Sequence, residues 1–280
     1  MYQIADIEEL NAVISRVVIA ADKSPVILRG SVYAARLFPK AKFHVVSVVN
    51  TTDRAIVLTG EYENILEKMG KESVESIGRL LAKEGIKNVE TKVLRGRPSQ
   101  KILYYARNQR ANLIVLATHS KMGTQAITLG RTSRNVIEKT KIPVLLFTPF
   151  SRSKEPKIIL NPSSGSKYSF KASMLSVRLA HALGADLKIL YLGRGDVEEK
   201  FKCVRNYAKE MGVKLSIEKG KGDHGECIIK ESKNADLMIA SRGRPGIGYK
   251  FRFMRKDLAL GKLEREVLAL AEVPILLIPE

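Results

Sequence analysis

The chain has 280 residues, 45% of them hydrophobic, and holds 48 lysines and arginines against 29 aspartates and glutamates, a net charge of +19. That length suits two domains, each able to bury its own core, and no run of about 18 apolar residues argues for a membrane span. With no signal peptide to be read either, the expectation is a soluble, cytoplasmic protein, and the charge favours anionic partners through long-range attraction.

The elements follow in order. Residues 1–14 read as a short amphipathic helix, with Asp6 as its cap, Glu9 three residues on, and Ile7, Leu10 and Ile14 on one face. Val17–Ala21 is an apolar run without alternation, as expected of a parallel strand covered on both faces, and it ends at Asp22-Lys23-Ser24. A helix over 25–38 and a strand over Phe43–Val49 come next. Residues 61–84 carry helical spacing at Ile65, Leu66, Met69, Ile77, Leu80 and Leu81, and Gly85 stops them. A third strand spans 89–95, Gly96-Arg97-Pro98-Ser99 turns into a helix over 99–109, and a fourth strand covers 113–117. After a small polar loop, Gly130 opens a helix, and a fifth strand closes the half at 143–147.

The second half repeats the order: strands at Ile158–Leu160, Leu187–Leu192 and 213–218, with helices at 169–183 and 196–211. Its last part, 236–278, matches 112–148 at one offset, with Gly130 against Gly261, Val136 against Val267, Pro143 against Pro274, and Leu145-Leu146 against Leu276-Leu277. An offset constant over this many apolar positions reads as a tandem duplication, 1–149 and 150–280, joined by PFSRSKEP at 149–156. The charge is shared evenly: 23 basic against 13 acidic residues in 1–149, and 25 against 16 in 150–280. Even spreading suits solubility as well as anion binding. The βαβα alternation predicts two doubly wound five-stranded parallel sheets, α/β in class. The short linker should hold the halves face to face, and the apolar fifth strands should pair with each other so that neither leaves a sticky edge.

Doubly wound sheets hold ligands beyond the carboxyl ends of their strands, where the strand order switches. The residues there are Asp22-Lys23-Ser24, Val48-Val49-Asn50, Gly96-Arg97, Ala117–Gly123 and Gly130–Ser133. Gly130 opens a helix whose free amides make a site for phosphate. Thr132 and Ser133 can add hydroxyls, and Arg131 a charge.

On these residues the chain resembles the universal stress protein family in tandem form, across nearly its whole length. The family's nucleotide-binding members carry G-x-x-G, nine residues, then G-S or G-T after the fourth strand, and an Asp ending the first. The resemblance implies the adenine nucleotide alpha hydrolase-like fold and an adenine nucleotide, ATP, ADP or AMP, in the first domain. Asp22 then contacts the adenosine part, Val48 lies against the adenine, and Gly130 is the last glycine with its nine-residue spacing intact. The sequence departs from the pattern at Ala117 and Ser120, which stand for the first two glycines, and at Arg131, which replaces the hydroxyl. A β-carbon at Ala117 and Ser120 would crowd a triphosphate, while Arg131 and Thr132 would supply part of the phosphate binding. The alternative is a retained fold without nucleotide.

The second domain departs further: Ser164 stands for the Asp, Leu192 for the Val, Ala240 and Gly243 for the glycines, and Lys262 for the hydroxyl. Its spacer grows to seventeen residues, Arg244–Leu260, in which Tyr249, Phe251 and Phe253 alternate with Lys250, Arg252, Arg255 and Lys256. Aromatics between cations suit RNA bases or an anionic membrane surface, or a loop that packs its rings on the neighbouring domain. Among the histidines, His44 falls in a strand, His181 in a helix, His224 in a Gly-rich turn and His119 in the loop where the family often has one. None has a metal partner at i+3 or i+4. Cys203 and Cys227 match no zinc or redox spacing and read as buried, reduced thiols. No nucleophile, base and acid come together, so catalysis is not expected beyond slow ATP hydrolysis. Two functions stay open: a regulatory or sensory nucleotide-binding module, or a nucleotide-independent interaction module docking through its basic loop to RNA, an anionic membrane face or a transporter-like partner, with a homodimer compatible with either.

Overall fold

The computed structural model describes residues 14–52, 60–118, 129–242 and 267–279. The helix expected over 1–14 and the basic loop 244–260 lie outside them, apart from Ile14. The chain divides into two compact units, one built on Asn11–Thr118 and Gly130–Phe147, the other on Thr148–Glu280.

The first unit runs β1 (Arg16–Ala20), α1 (Pro25–Leu37), β2 (Lys42–Val49), α2 (Gly60–Lys83), β3 (Val89–Arg95), α3 (Pro98–Asn108), β4 (Leu113–Ala117), α4 (Arg131–Lys139) and β5 (Val144–Phe147). Its strands lie in the order β3-β2-β1-β4-β5, and each neighbouring pair is parallel. Burial follows position: β4 is buried at every residue, whereas β3 at the edge has no buried residue and exposes Glu90, Thr91, Lys92 and Arg95. This explains why β1 and β4 read as unbroken apolar runs while β3 carries Glu90 and Lys92.

Local chemistry sets the helix starts. Ser24 caps α1 by accepting from the Ile27 amide, and Pro25 occupies the first helical position, where no N–H is needed. The packed face of α2 is Gly70, Ser73, Val74, Ile77 and Leu81. The expected face was shifted at its start, since Ile65 and Met69 are exposed. Gly70 shows why: an added Cβ would sit 3.1 Å from Val93 Cγ1 and 3.3 Å from Ser47 Oγ, so the helix approaches the sheet closest there. Gly30 does the same for α1, where a Cβ would come within 2.9 Å of the buried Phe147 ring.

The second unit runs β6 (Ile158–Ser163), α5 (Lys167–Leu183), β7 (Asp186–Tyr191), α6 (Val197–Glu210), β8 (Leu215–Lys219), α7 (His224–Ser232), β9 (Leu237–Ser241) and β10 (Ile275–Ile278). Its order is β8-β7-β6-β9-β10, the same as in the first unit. Residues 148–152 belong to this unit. Thr148 Oγ1 donates to Ala271 O at 2.9 Å and Ser151 Oγ to Val273 O at 3.2 Å. The Arg152 guanidinium reaches Lys233 O at 2.7 Å, at the carboxyl end of α7.

Three expectations need correction. Strand β6 runs to Ser163, past Pro162, rather than stopping at Leu160. A proline ends a central ladder because it cannot donate, yet the fully buried Asn161 spans the gap by donating from Nδ2 to Ile239 O at 2.7 Å. His224 is the first residue of α7 rather than part of a turn, because Asp223 caps that helix through the amides of Gly225 and Glu226. The cysteines are free, but Cys203 is exposed and Cys227 half-buried.

Candidate functional site

In the first unit the strand order reverses between β1 and β4, so the crevice opens past their carboxyl ends. The pairing of β1 with β2 keeps an offset of 26, Arg16 with Lys42 through Ala20 with Val46, which continues to bring Asp22 level with Val48. Val48 is half-buried between Ser47 and Val49, both buried, as befits a side chain at the mouth of the crevice. Asp22 Oδ1 accepts from the Ser24 amide at 2.7 Å. This Asx turn orients the carboxylate while Ser24 starts α1.

On the other side of the crevice, Ala117 ends β4 beside Phe147 and is buried. Thr118, buried as well, joins this strand end to the helix: its Oγ1 accepts from the Gly130 amide at 3.4 Å. Ser133 turns inward and donates to Ala117 O at 2.8 Å. Its hydroxyl is therefore spent on the fold, which leaves Thr132, half-buried, and Arg131, exposed, as the groups on the first turn that face outward. Gly130 is the N-cap of α4 and brings no side-chain acceptor, and the first turn holds no acidic residue. The amides at Arg131 and Thr132 thus carry the positive end of the helix dipole without a carboxylate to neutralise it.

Gly130 itself is informative. Its φ is −55°, which any residue adopts. An added Cβ would meet nothing within 4 Å among the described residues. Neither strain nor packing among the described residues asks for glycine at this position, which leaves room there for close approach by a ligand. Of the candidate residues, Asp22, Val48, Ala117, Gly130, Arg131 and Thr132 lie at this one end of the sheet, and Ser120 lies outside the described residues. Thr118 falls within the stretch Ala117–Gly123 read from the sequence but is given no role of its own there, although its place directly after a buried strand was the available signal.

The second unit has a cavity of about 310 Å³ at the equivalent end of its own sheet. It lies past the ends of β6 and β9, with Ser164, Leu192 and Ala240 in its lining. These three are the counterparts of Asp22, Val48 and the first glycine of the pattern, so the two units use the same topological position with different chemistry. Gly243 and Lys262 lie outside the described residues. No described helix is long and apolar enough to cross a membrane.

The fold and this placement of residues define a doubly wound α/β protein with its site at the topological switch point. Residues 14–148 match the model of the universal stress protein family. A universal stress protein of Methanocaldococcus jannaschii is 28% identical over 137 residues, which are 47% of this chain and 80% of that protein. Another from the same organism is 31% identical over 86 residues, 31% of this chain and 52% of that protein. Among solved structures, a universal stress protein from Archaeoglobus fulgidus shares the fold over 95% of this chain and 96% of its own, with a TM-score of 0.76 at 18% identity. The first unit is thus a domain of the universal stress protein family.

Proposed function

We propose that the first unit binds an adenine nucleotide, ATP, ADP or AMP, and that the protein acts as a regulatory or sensory module rather than as a robust enzyme. The adenosine end rests on Asp22 and Val48. The phosphates reach the amides of Arg131 and Thr132 and the Arg131 guanidinium. Gly130 is the observation that carries this reading, because a glycine that neither φ nor packing among the described residues requires stands at a helix start with no acidic residue in its first turn. Ala117 adds a β-carbon where nucleotide-binding members of the family have glycine, which restricts the phosphates more than the adenosine. AMP and ADP should therefore compete well with ATP.

Calorimetry on the parent and two variants tests the reading. Gly130→Ala meets nothing among the described residues, so its melting temperature should fall only by the modest cost of alanine at an N-cap. The methyl would nevertheless meet the ligand and cost about 1–3 kcal/mol, roughly five- to 150-fold in affinity. Asp22→Asn keeps the oxygen that accepts from Ser24 but removes the charge, and should weaken binding by a similar factor. No heat and no thermal shift with millimolar ATP, ADP or AMP would refute the proposal, as would a Gly130→Ala variant that binds as tightly as the parent.

A further inference from the structure

The cavity of the second unit has a chemistry of its own. Its floor is apolar, formed by side chains such as Met238 and Ile275, which are fully buried, and Leu277 and Ile228, which are nearly so. One side carries hydroxyls. Ser163, Ser164 and Ser169 all line it; Ser164 and Ser169 are ordered by bonds to Ser166, at 3.0 Å from Ser164 Oγ to Ser166 Oγ and 3.0 Å from Ser169 Oγ to Ser166 O, while Ser163 Oγ accepts from the Gly165 amide at 3.3 Å. The cap of α5 is part of this cluster, since Ser166 accepts from the Ser169 amide. Two groups that can carry charge line the cavity, Arg242 and His224, and no aspartate or glutamate does so among the described residues. An apolar floor lined also by an arginine, an imidazole and hydroxyls is complementary to a molecule with an apolar body and a single negative end.

Two observations speak against a nucleotide seated as in the first unit. Ser164, level with Leu192 at the constant offset of 28 between β6 and β7, provides no carboxylate for a ribose. The loops after β6 and β7 also touch through their backbones: a Cβ on Gly193 would lie 2.2 Å from Ser164 O. No ring fits between them at that point. Among the described residues space is left instead on the β9 side, and 310 Å³ is at the small end of the range for small-molecule sites, on the order of ten heavy atoms.

We propose that the cavity of the second unit binds a small amphipathic carboxylate, with its apolar tail on Met238, Ile275 and Leu277 and its carboxylate toward Arg242, His224 and the serine cluster. The site does not depend on the nucleotide reading of the first unit.

The test uses the whole chain and octanoate as the probe, with octanol and octylammonium as analogues of the same tail and different heads. Octanoate should bind saturably in calorimetry and raise the melting temperature. Octanol should bind about tenfold more weakly and octylammonium not at all, and AMP should not displace octanoate. Arg242→Gln should lower octanoate affinity about tenfold, as expected for loss of a charge-assisted hydrogen bond, and leave octanol unchanged. Ser164 is exposed, so Ser164→Asp should fold normally and weaken octanoate at least as much by repulsion. Absence of saturable octanoate binding at millimolar concentration would overturn the proposal. So would equal binding of all three probes, or octanoate binding that is displaced by AMP and indifferent to Ser164→Asp.

Discussion

Asn161 is the residue on which the central strand of the second unit depends, and its replacement by leucine measures how much. Leucine keeps the branched outline of the side chain but is larger, so no cavity is left and the effect is the loss of hydrogen bonds with some overpacking added. Two bonds are lost, Nδ2 to Ile239 O at 2.7 Å and Ser173 Oγ to Asn161 Oδ1 at 2.7 Å. The Ile239 carbonyl belongs to a fully buried residue, and leaving it without this donor costs about 1–3 kcal/mol. Ser173 keeps a second acceptor, Ser169 O at 3.2 Å, so its share is only about 1 kcal/mol. The total of about 2–4 kcal/mol corresponds to a fall in melting temperature on the order of 10 °C for a unit of this size. Because two units need not unfold together, hydrogen exchange should be followed in peptides covering 158–163 and 237–241, where protection should drop. In the double variant Asn161→Leu, Ser173→Ala the two losses should fall short of additivity by about 1 kcal/mol. A single variant within about 0.5 kcal/mol of the parent, with protection unchanged in both peptides, would refute the claim that the carboxamide replaces the ladder beside Pro162.

Gly30→Ala should destabilise the first unit by about 1–3 kcal/mol, read by denaturant titration, because the methyl would stand 2.9 Å from the Phe147 ring, which is buried and held edge-on by Tyr33 at 5.4 Å. His44 gives a pH prediction: burial holds its imidazole below the ordinary value of 6.5, and the nearby cations Lys42 and Arg16 add to this against the opposing pull of Glu90 at 3.1 Å. Burial prevails because Glu90 is half in solvent, whereas the ring is 1% exposed and packs edge-on against Tyr105. A histidine with a lowered folded pKa contributes fully above about pH 6.5, and stability is lost as the pH falls below that value, where the unfolded chain takes up the proton first. In a parallel titration His44→Gln should show a flatter fall between about pH 6.5 and 5; equal slopes would refute the assignment.

Apolar patterning was enough to reveal the alternation of strands and helices, the repeat at a constant offset, and the ends of the strands at which Asp22, Val48 and Gly130 lie. Each of these follows from local chemistry. A strand covered on both faces must be apolar along its length, and a helix that starts beside a ligand crevice starts with a small residue. Tertiary structure alone decided what depends on partners distant in the chain. Proline at 162 cannot donate to a ladder, yet β6 runs on to Ser163 by pairing with β7, while Asn161 meets Ile239, 78 residues later, where the pairing with β9 has ended. Ile65 and Met69 have the spacing of a buried face, but the closest approach of α2 to the sheet falls at Gly70, against Val93 and Ser47. Ser133 carries the same hydroxyl as Thr132 in the sequence, yet the turn of α4 directs it to Ala117 O and leaves its neighbour facing out. The cavity of the second unit was illegible for the same reason. It is lined by residues from five strands and helices, and its charge and shape exist only where the carboxyl ends of β6 and β9 part.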